Sequence, residues 1–123
     1  MFNKTRLLLV DDHAVVREGY RRLLESRPDL TIIGEAATAR EAFEQYRLLS
    51  PDVLVLDLGL PDMGGVELIR RLVQRDADVR ILVFTMHREP IFATQALRAG
   101  ALGYITKSSP PDVLVDAVYQ VAA

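Results

Sequence analysis

The sequence predicts an α/β fold: a parallel β-sheet with helices on both faces. Three observations point to it. Five short apolar runs recur along the chain, at Leu7–Val10, Thr31–Ile33, Val53–Leu56, Ile81–Phe84 and Leu102–Ile105. The first, third and fourth are apolar at every position, without period-two alternation, as in strands buried on both faces. Segments of helical periodicity separate the runs, and such alternation joins parallel strands by right-handed crossovers.

Each element has its own justification. The first run ends in Asp11-Asp12, and a helix follows over Ala14–Ser26 with Val16, Tyr20, Leu23 and Leu24 apolar or aromatic. The second run passes into Glu35-Ala36. Thr38-Ala39-Arg40-Glu41 is a capping box that opens a helix carrying Phe43, Tyr46 and Leu49 on one side. The third run ends in Asp57. A helix near Val66–Arg75 places Val66, Ile69, Leu72 and Val73 on its apolar face. The fourth run ends in Thr85, and its helix covers about Pro90–Ala99, stopped by Gly100 as a C′ glycine. The fifth run ends at Lys107. Pro110-Pro111 suits the first turn of the last helix, which carries Val113, Leu114, Ala117, Val118 and Val121.

Composition narrows the classes. The 123 residues form one domain of ordinary size, residues 1–123, without an internal linker or low-complexity segment. Half the residues are hydrophobic and 26% are charged, a globular composition. A net charge of −2 supplies no positive field toward nucleic acid or anionic membranes. With no cysteine there is no disulfide framework, thiol nucleophile or thiolate metal site. The opening "MFNKTRLLLVDD" reads as neither a signal peptide nor a membrane span.

In open α/β sheets the ligand sits outside the carboxyl ends of the strands. Asp11, Asp12, Asp57, Thr85 and Lys107 all fall there. Each alone has an ordinary reading: a helix cap, a turn acid, a β-branched strand residue, a solvated lysine. Together they put three acids, a hydroxyl and an ammonium on one sheet edge. His13 and His87 lack metal-pair spacing, and His13 is expected to face solvent at the start of its helix.

The stretches "LLLVDDHAVVREG", "PDVLVLDLGLPDMGG", "ILVFTMH" and "ALRAGALGYITKSSPPDVLVDAV" resemble a bacterial response-regulator receiver domain, over essentially the whole chain. The details are similar to the NarL/FixJ subfamily, with its LuxR-type helix-turn-helix output domain. The resemblance implies a flavodoxin-like (βα)5 sheet in the strand order 2-1-3-4-5, for which the receiver fold is a standard example. It implies Asp57 as phosphoacceptor, Mg²⁺ held directly by Asp12 and Asp57, through water by Asp11, and by the Gly59 carbonyl, and Lys107 and Thr85 as partners of the phosphoryl oxygens. Tyr104 would follow Thr85 in a conformational switch; otherwise it is a half-buried strand aromatic with its hydroxyl at the rim. A sensor histidine kinase in the bacterial cytoplasm would be the donor. The response would be dimerisation or release of an output DNA-binding domain lying outside this chain, with no direct nucleic-acid or membrane contact by the receiver. The chemistry is consistent: an aspartate is ionised at neutral pH and needs no general base, while a divalent cation offsets the repulsion between two anions. On this reading the adjacent Asp11 and Asp12 tolerate each other because a cation lies between them and Asp57.

Two positions depart from the common pattern. Many receivers carry proline after the lysine, through a cis bond; here Ser108 follows Lys107. Met86 is bulky where a small residue often follows the threonine. Gly59 offers no side chain beside the site, and His87 is expected to reach toward it and tune phosphoryl lifetime. Three competing readings fare worse. A haloacid-dehalogenase-type phosphatase needs an acid two residues after its nucleophile, where Gly59 stands. A flavin carrier needs a Gly/Ser/Thr-rich phosphate loop after the first strand, where Asp-Asp-His stands. A phosphorylation-independent interaction module would leave the five strand-end residues without a purpose.

Overall fold

The computed structural model describes residues 4–123. Strands and helices alternate without exception: β1 (Thr5–Val10), α1 (Ala14–Glu25), β2 (Leu30–Ala36), α2 (Ala39–Leu49), β3 (Val53–Leu56), α3 (Gly65–Arg75), β4 (Ile81–Thr85), α4 (Pro90–Ala99), β5 (Gly103–Thr106) and α5 (Pro111–Ala122). All pairings are parallel, and the sheet order is β2-β1-β3-β4-β5. The expected fold and strand order are both present.

The three uninterrupted apolar runs are the three central strands. Every residue of β3 and β4, and Leu7–Val10 of β1, is buried. Successive residues feed two separate cores. Leu8, Val10, Leu54, Leu56, Ile81 and Val83 pack against α2, α3 and α4. Leu7, Leu9, Val53, Val55, Leu82 and Phe84 pack against α1 and α5. A strand with helices on both faces has no polar side to show, so its sequence does not alternate. The edge strand β5 is only half-buried throughout, and it begins at Gly103, one residue later than its apolar run. Leu102 is left 54% exposed beside it. β2 is longer than its run because a register shift opposite Leu7/Leu8 absorbs one residue and keeps Gly34, Glu35 and Ala36 paired.

The helix ends explain the loops above the sheet. Thr38 caps α2 by accepting the Glu41 N–H at 3.1 Å, as the capping box predicts. A second cap comes from afar: Asp62 accepts the N–H groups of Ala39 and Arg40 at 2.8 and 3.0 Å. These two donors hold the Asp62 carboxyl below the usual carboxylate range. Gly100 ends α4 at φ 125°, in the region that favours glycine. Gly65 opens α3 so close to the preceding loop that a Cβ there would stand 2.6 Å from the Leu58 Cα.

Candidate functional site

The ladder continues just past β1, β3 and β5 and places the site. The Asp11 N–H donates to Ala36 O at 3.0 Å, Asp57 N–H to Val10 O at 2.9 Å, and Lys107 N–H to Thr85 O at 2.8 Å. Strand pairing therefore delivers Asp11, Asp57 and Lys107 side by side on the carboxyl edge of the sheet. Thr85, the last residue of β4, is fully buried beside them, and its hydroxyl oxygen accepts the His87 N–H at 3.4 Å.

Asp11 is wholly buried and heavily hydrogen-bonded. Its Oδ1 accepts the His13 N–H at 2.8 Å. Its Oδ2 accepts Lys107 Nζ at 2.5 Å and the Tyr20 hydroxyl at 3.4 Å. Asp57 is 5% exposed; its Oδ2 accepts Lys107 Nζ at 3.2 Å and its Oδ1 the Gly59 N–H at 3.4 Å. Lys107 itself is 6% exposed, so its ammonium depends on these two carboxylates. The expected Lys107–Asp57 pair is present, but the shorter contact is to Asp11. Asp12 stands at the rim with its side chain 29% exposed.

Asp11, Asp12, His13 and Asp57 each present a ligand atom, all within 4.8 Å of one another. Three carboxylates against one ammonium leave two negative charges to be balanced. Clustered carboxylate oxygens are hard donors, and they fit Mg²⁺, which takes one or two carboxylates together with waters and substrate phosphate oxygens. His13 is exposed, as expected, yet its Nδ1 lies 3.3 Å from Asp11 and 3.1 Å from Asp12.

The remaining expected residues take their places around this centre. Tyr104 is half-buried on β5, and its hydroxyl donates to the His87 carbonyl at 2.7 Å. Burial, then Glu89 and Asp57, push its phenol upward. His87 does reach the site: its Nε2 lies 3.9 Å from where a Gly59 Cβ would stand, and its ring tilts against Phe92 at 4.6 Å. Met86 is 65% exposed. The Lys107–Ser108 peptide bond is trans, and its turn closes with Ser109 N–H on Thr106 O at 3.1 Å.

Sequence reasoning missed two supports. The Arg17 guanidinium donates to the Asp11 carbonyl and, through Nε, to Glu35 at 2.8 Å, while Arg21 pairs with the same Glu35. This bracket ties α1 to the end of β2 and holds the β1–α1 loop. Glu35 is the last residue but one of β2, next to β1, and Arg17 lies one turn after His13; that coincidence was the available signal. The second support is Tyr20, which reads in sequence as a core aromatic only. Burial and the Asp11 charge push its phenol far above the ordinary tyrosine range, so it stays a donor.

The model of the response regulator receiver domain family matches residues 7–119. This chain is a response regulator receiver domain. Its relatives agree. The receiver is 36% identical over 98% of its length to the transcriptional regulatory protein DegU of Brevibacillus brevis, of which it covers 51%. It is 37% identical over 95% of its length to the nitrate/nitrite response regulator NarL of Escherichia coli K12, of which it covers 54%. The receiver thus spans about half the length of the curated relatives it matches. Among solved structures, a LuxR-family two-component response regulator from Aurantimonas sp. SI85-9A1 superposes with a TM-score of 0.94 at 51% identity, covering 98% of this chain and 86% of that one. The isolated receiver of Salmonella RcsB, solved with the phosphomimetic BeF3−, gives 0.89 at 26% identity, covering 95% and 87%. The receiver is therefore of the NarL/LuxR type, a phosphorylation-controlled signalling domain rather than a conventional enzyme. Receiver domains generally bind Mg²⁺ at an acidic cluster such as this one. No described helix is long and apolar enough to cross a membrane.

Proposed function

We propose that the receiver accepts a phosphoryl group on Asp57 from a sensor histidine kinase and transmits the change through its surface. The observation that carries this reading is one buried ammonium, Lys107, shared by two buried carboxylates beside a buried hydroxyl, Thr85. One Asp57 oxygen attacks the phosphorus, an O–P bond forms, and the P–N bond of the donor phosphohistidine breaks. The departing imidazole takes its proton from solvent. Asp11, Asp12, Asp57 and the Gly59 carbonyl would hold Mg²⁺, which supplies charge neutralisation between the carboxylate and the phosphoryl oxygens. Lys107 turns its ammonium from Asp11 to a phosphoryl oxygen as a point charge. The Thr85 hydroxyl leaves the His87 N–H and donates to another oxygen. Tyr104 then exchanges its bond to the His87 carbonyl for the space Thr85 vacates, biasing the α4–β5–α5 surface between two states. Slow hydrolysis of the acyl phosphate resets the domain. The output is a homodimer or a freed helix-turn-helix domain beyond this chain, in the cytoplasm of a bacterium, controlling transcription.

Intact mass after incubation with acetyl phosphate tests the reading. The expected result is one base- and hydroxylamine-labile phosphoryl group, formed only with Mg²⁺ and absent from Asp57→Asn. An adduct that persists in Asp57→Asn refutes the assignment. Partner binding or dimerisation unchanged by Asp57→Asn favours a phosphorylation-independent module.

A further inference from the structure

Tyr20 lies outside the set of strand-end residues, on the inward face of α1 between Asp11 and Phe84. Its ring is 7% exposed and meets Phe84 edge to face, with centroids 5.1 Å apart and planes at 85°. Its hydroxyl donates to Asp11 Oδ2 at 3.4 Å, the same oxygen that Lys107 Nζ approaches to 2.5 Å. Asp11 is completely buried, and its other oxygen is already taken by the His13 N–H at 2.8 Å.

This arrangement has a consequence for phosphoryl transfer. Asp11 holds the closer share of Lys107 before the reaction. Once the ammonium turns to a phosphoryl oxygen on Asp57, Asp11 Oδ2 loses its nearest donor. The cation that Asp11 would help to hold offsets its charge, but the aim of that oxygen then falls to the hydrogen bonds left on it, and a hydrogen bond to a charged group is among the stronger ones. The Tyr20 hydroxyl is the remaining side-chain donor aimed at that oxygen among the described residues.

We propose that Tyr20 is a positioning residue for the phosphoryl-transfer site: its hydroxyl holds Asp11 in place as Lys107 leaves, so that it contributes more to the phosphorylated state than to the resting one. The inference rests on the phosphoryl reading above. The long Tyr20–Asp11 contact shortens on transfer. The edge-to-face contact with Phe84, next to Thr85 in β4, keeps the phenol aimed while Thr85 moves.

The test is Tyr20→Phe, which removes only the hydroxyl and keeps the ring against Phe84. With saturating Mg²⁺ and acetyl phosphate, the variant is expected to form the adduct about tenfold more slowly than wild type while remaining folded by circular dichroism. A second readout is spectroscopic. With ζ-carbon-labelled tyrosine, the protein gives one signal for each of its four tyrosines. The signal missing from Tyr20→Phe belongs to Tyr20, and in wild type it is expected to shift when the adduct forms. If Tyr20→Phe unfolds, the signals missing from Tyr46→Phe, Tyr104→Phe and Tyr119→Phe assign Tyr20 by elimination, and its shift on adduct formation decides. Equal rates in a folded variant, or a Tyr20 signal unmoved by the adduct, overturn the proposal while leaving the phosphoryl reading intact. Absence of any adduct on wild type overturns both.

Discussion

Lys107 is the residue whose surroundings say most about the resting receiver. Its ammonium is bonded to Asp11 and Asp57 together, and almost no solvent reaches it. Removing one partner of a buried ionic group leaves the others uncompensated, at a cost of about 3–5 kcal/mol. Lys107→Met is therefore expected to lower stability by about that amount in urea unfolding without Mg²⁺. Two buried carboxylates without an ammonium also bind a cation more tightly. Added Mg²⁺ should raise the melting temperature of Lys107→Met more than that of wild type. An equal rise would argue that the cation does not share these carboxylates. His87 makes a different prediction. Its Nε2 lies 3.9 Å from where a Gly59 Cβ would stand, so His87→Ala opens the approach to Asp57 and should shorten phosphoryl lifetime, as losing a group that keeps water out does. Identical dephosphorylation rates would sink that role.

Among the elements, α2 and α3 show how loops over the site are kept in place. α2 has two caps, Thr38 within its own sequence and Asp62 from the loop after β3. A lost N-cap costs about 1 kcal/mol. Thr38→Ala should fall at or below that figure because Asp62 still serves the first turn. Asp62→Asn in the Thr38→Ala background should then cost more than in wild type, and a double-mutant cycle in urea reads the coupling. Gly65 is the tighter constraint. A methyl group there would collide with the backbone of Leu58, next to Asp57, and backbone cannot swing aside as a side-chain tip can. Gly65→Ala is expected to destabilise by about 1–3 kcal/mol, as overpacking does. By shifting Leu58 it should also slow phosphorylation of Asp57; an adduct formed at the wild-type rate would show that the loop does not transmit the strain.

At the scale of the whole molecule, titration reports on burial. All four tyrosines have their phenols pushed upward: Tyr20 and Tyr46 first by burial, Tyr104 by burial with nearby carboxylates, Tyr119 by its bond to Asp29. Each folded value lies above the unfolded value near 10, so this stabilisation is complete below about pH 10 and is lost as the pH climbs further. The native receiver should show little tyrosinate absorbance at pH 10, and Tyr20 should ionise only with alkaline unfolding. A full four-tyrosine titration near pH 10 in folded protein would contradict that. The acid limb runs the other way. Asp62 is held down by two α2 N–H groups and Asp76 by the Tyr46 hydroxyl. Their stabilisation is complete above about pH 4 and is lost as the pH falls through their depressed values.

The sequence by itself determined the alternation of elements, the three central strands and the residues at their carboxyl ends. A strand buried on both faces must be apolar throughout, and a helix over a sheet must repeat near 3.6, so both leave a local signature. Asp11, Asp57 and Thr85 were legible because each follows or ends such a strand, and Lys107 because it follows the fifth apolar run at the same edge. The order of the strands was legible only through family resemblance. What tertiary structure alone decided are contacts between residues far apart in the chain: Lys107 nearer Asp11 than Asp57, Tyr20 on the same oxygen, Arg17 braced by Glu35, Asp62 capping α2, and His87 near Gly59. Periodicity records which face of an element is buried. It does not record which element lies beside it, or the register that brings two side chains within bonding distance.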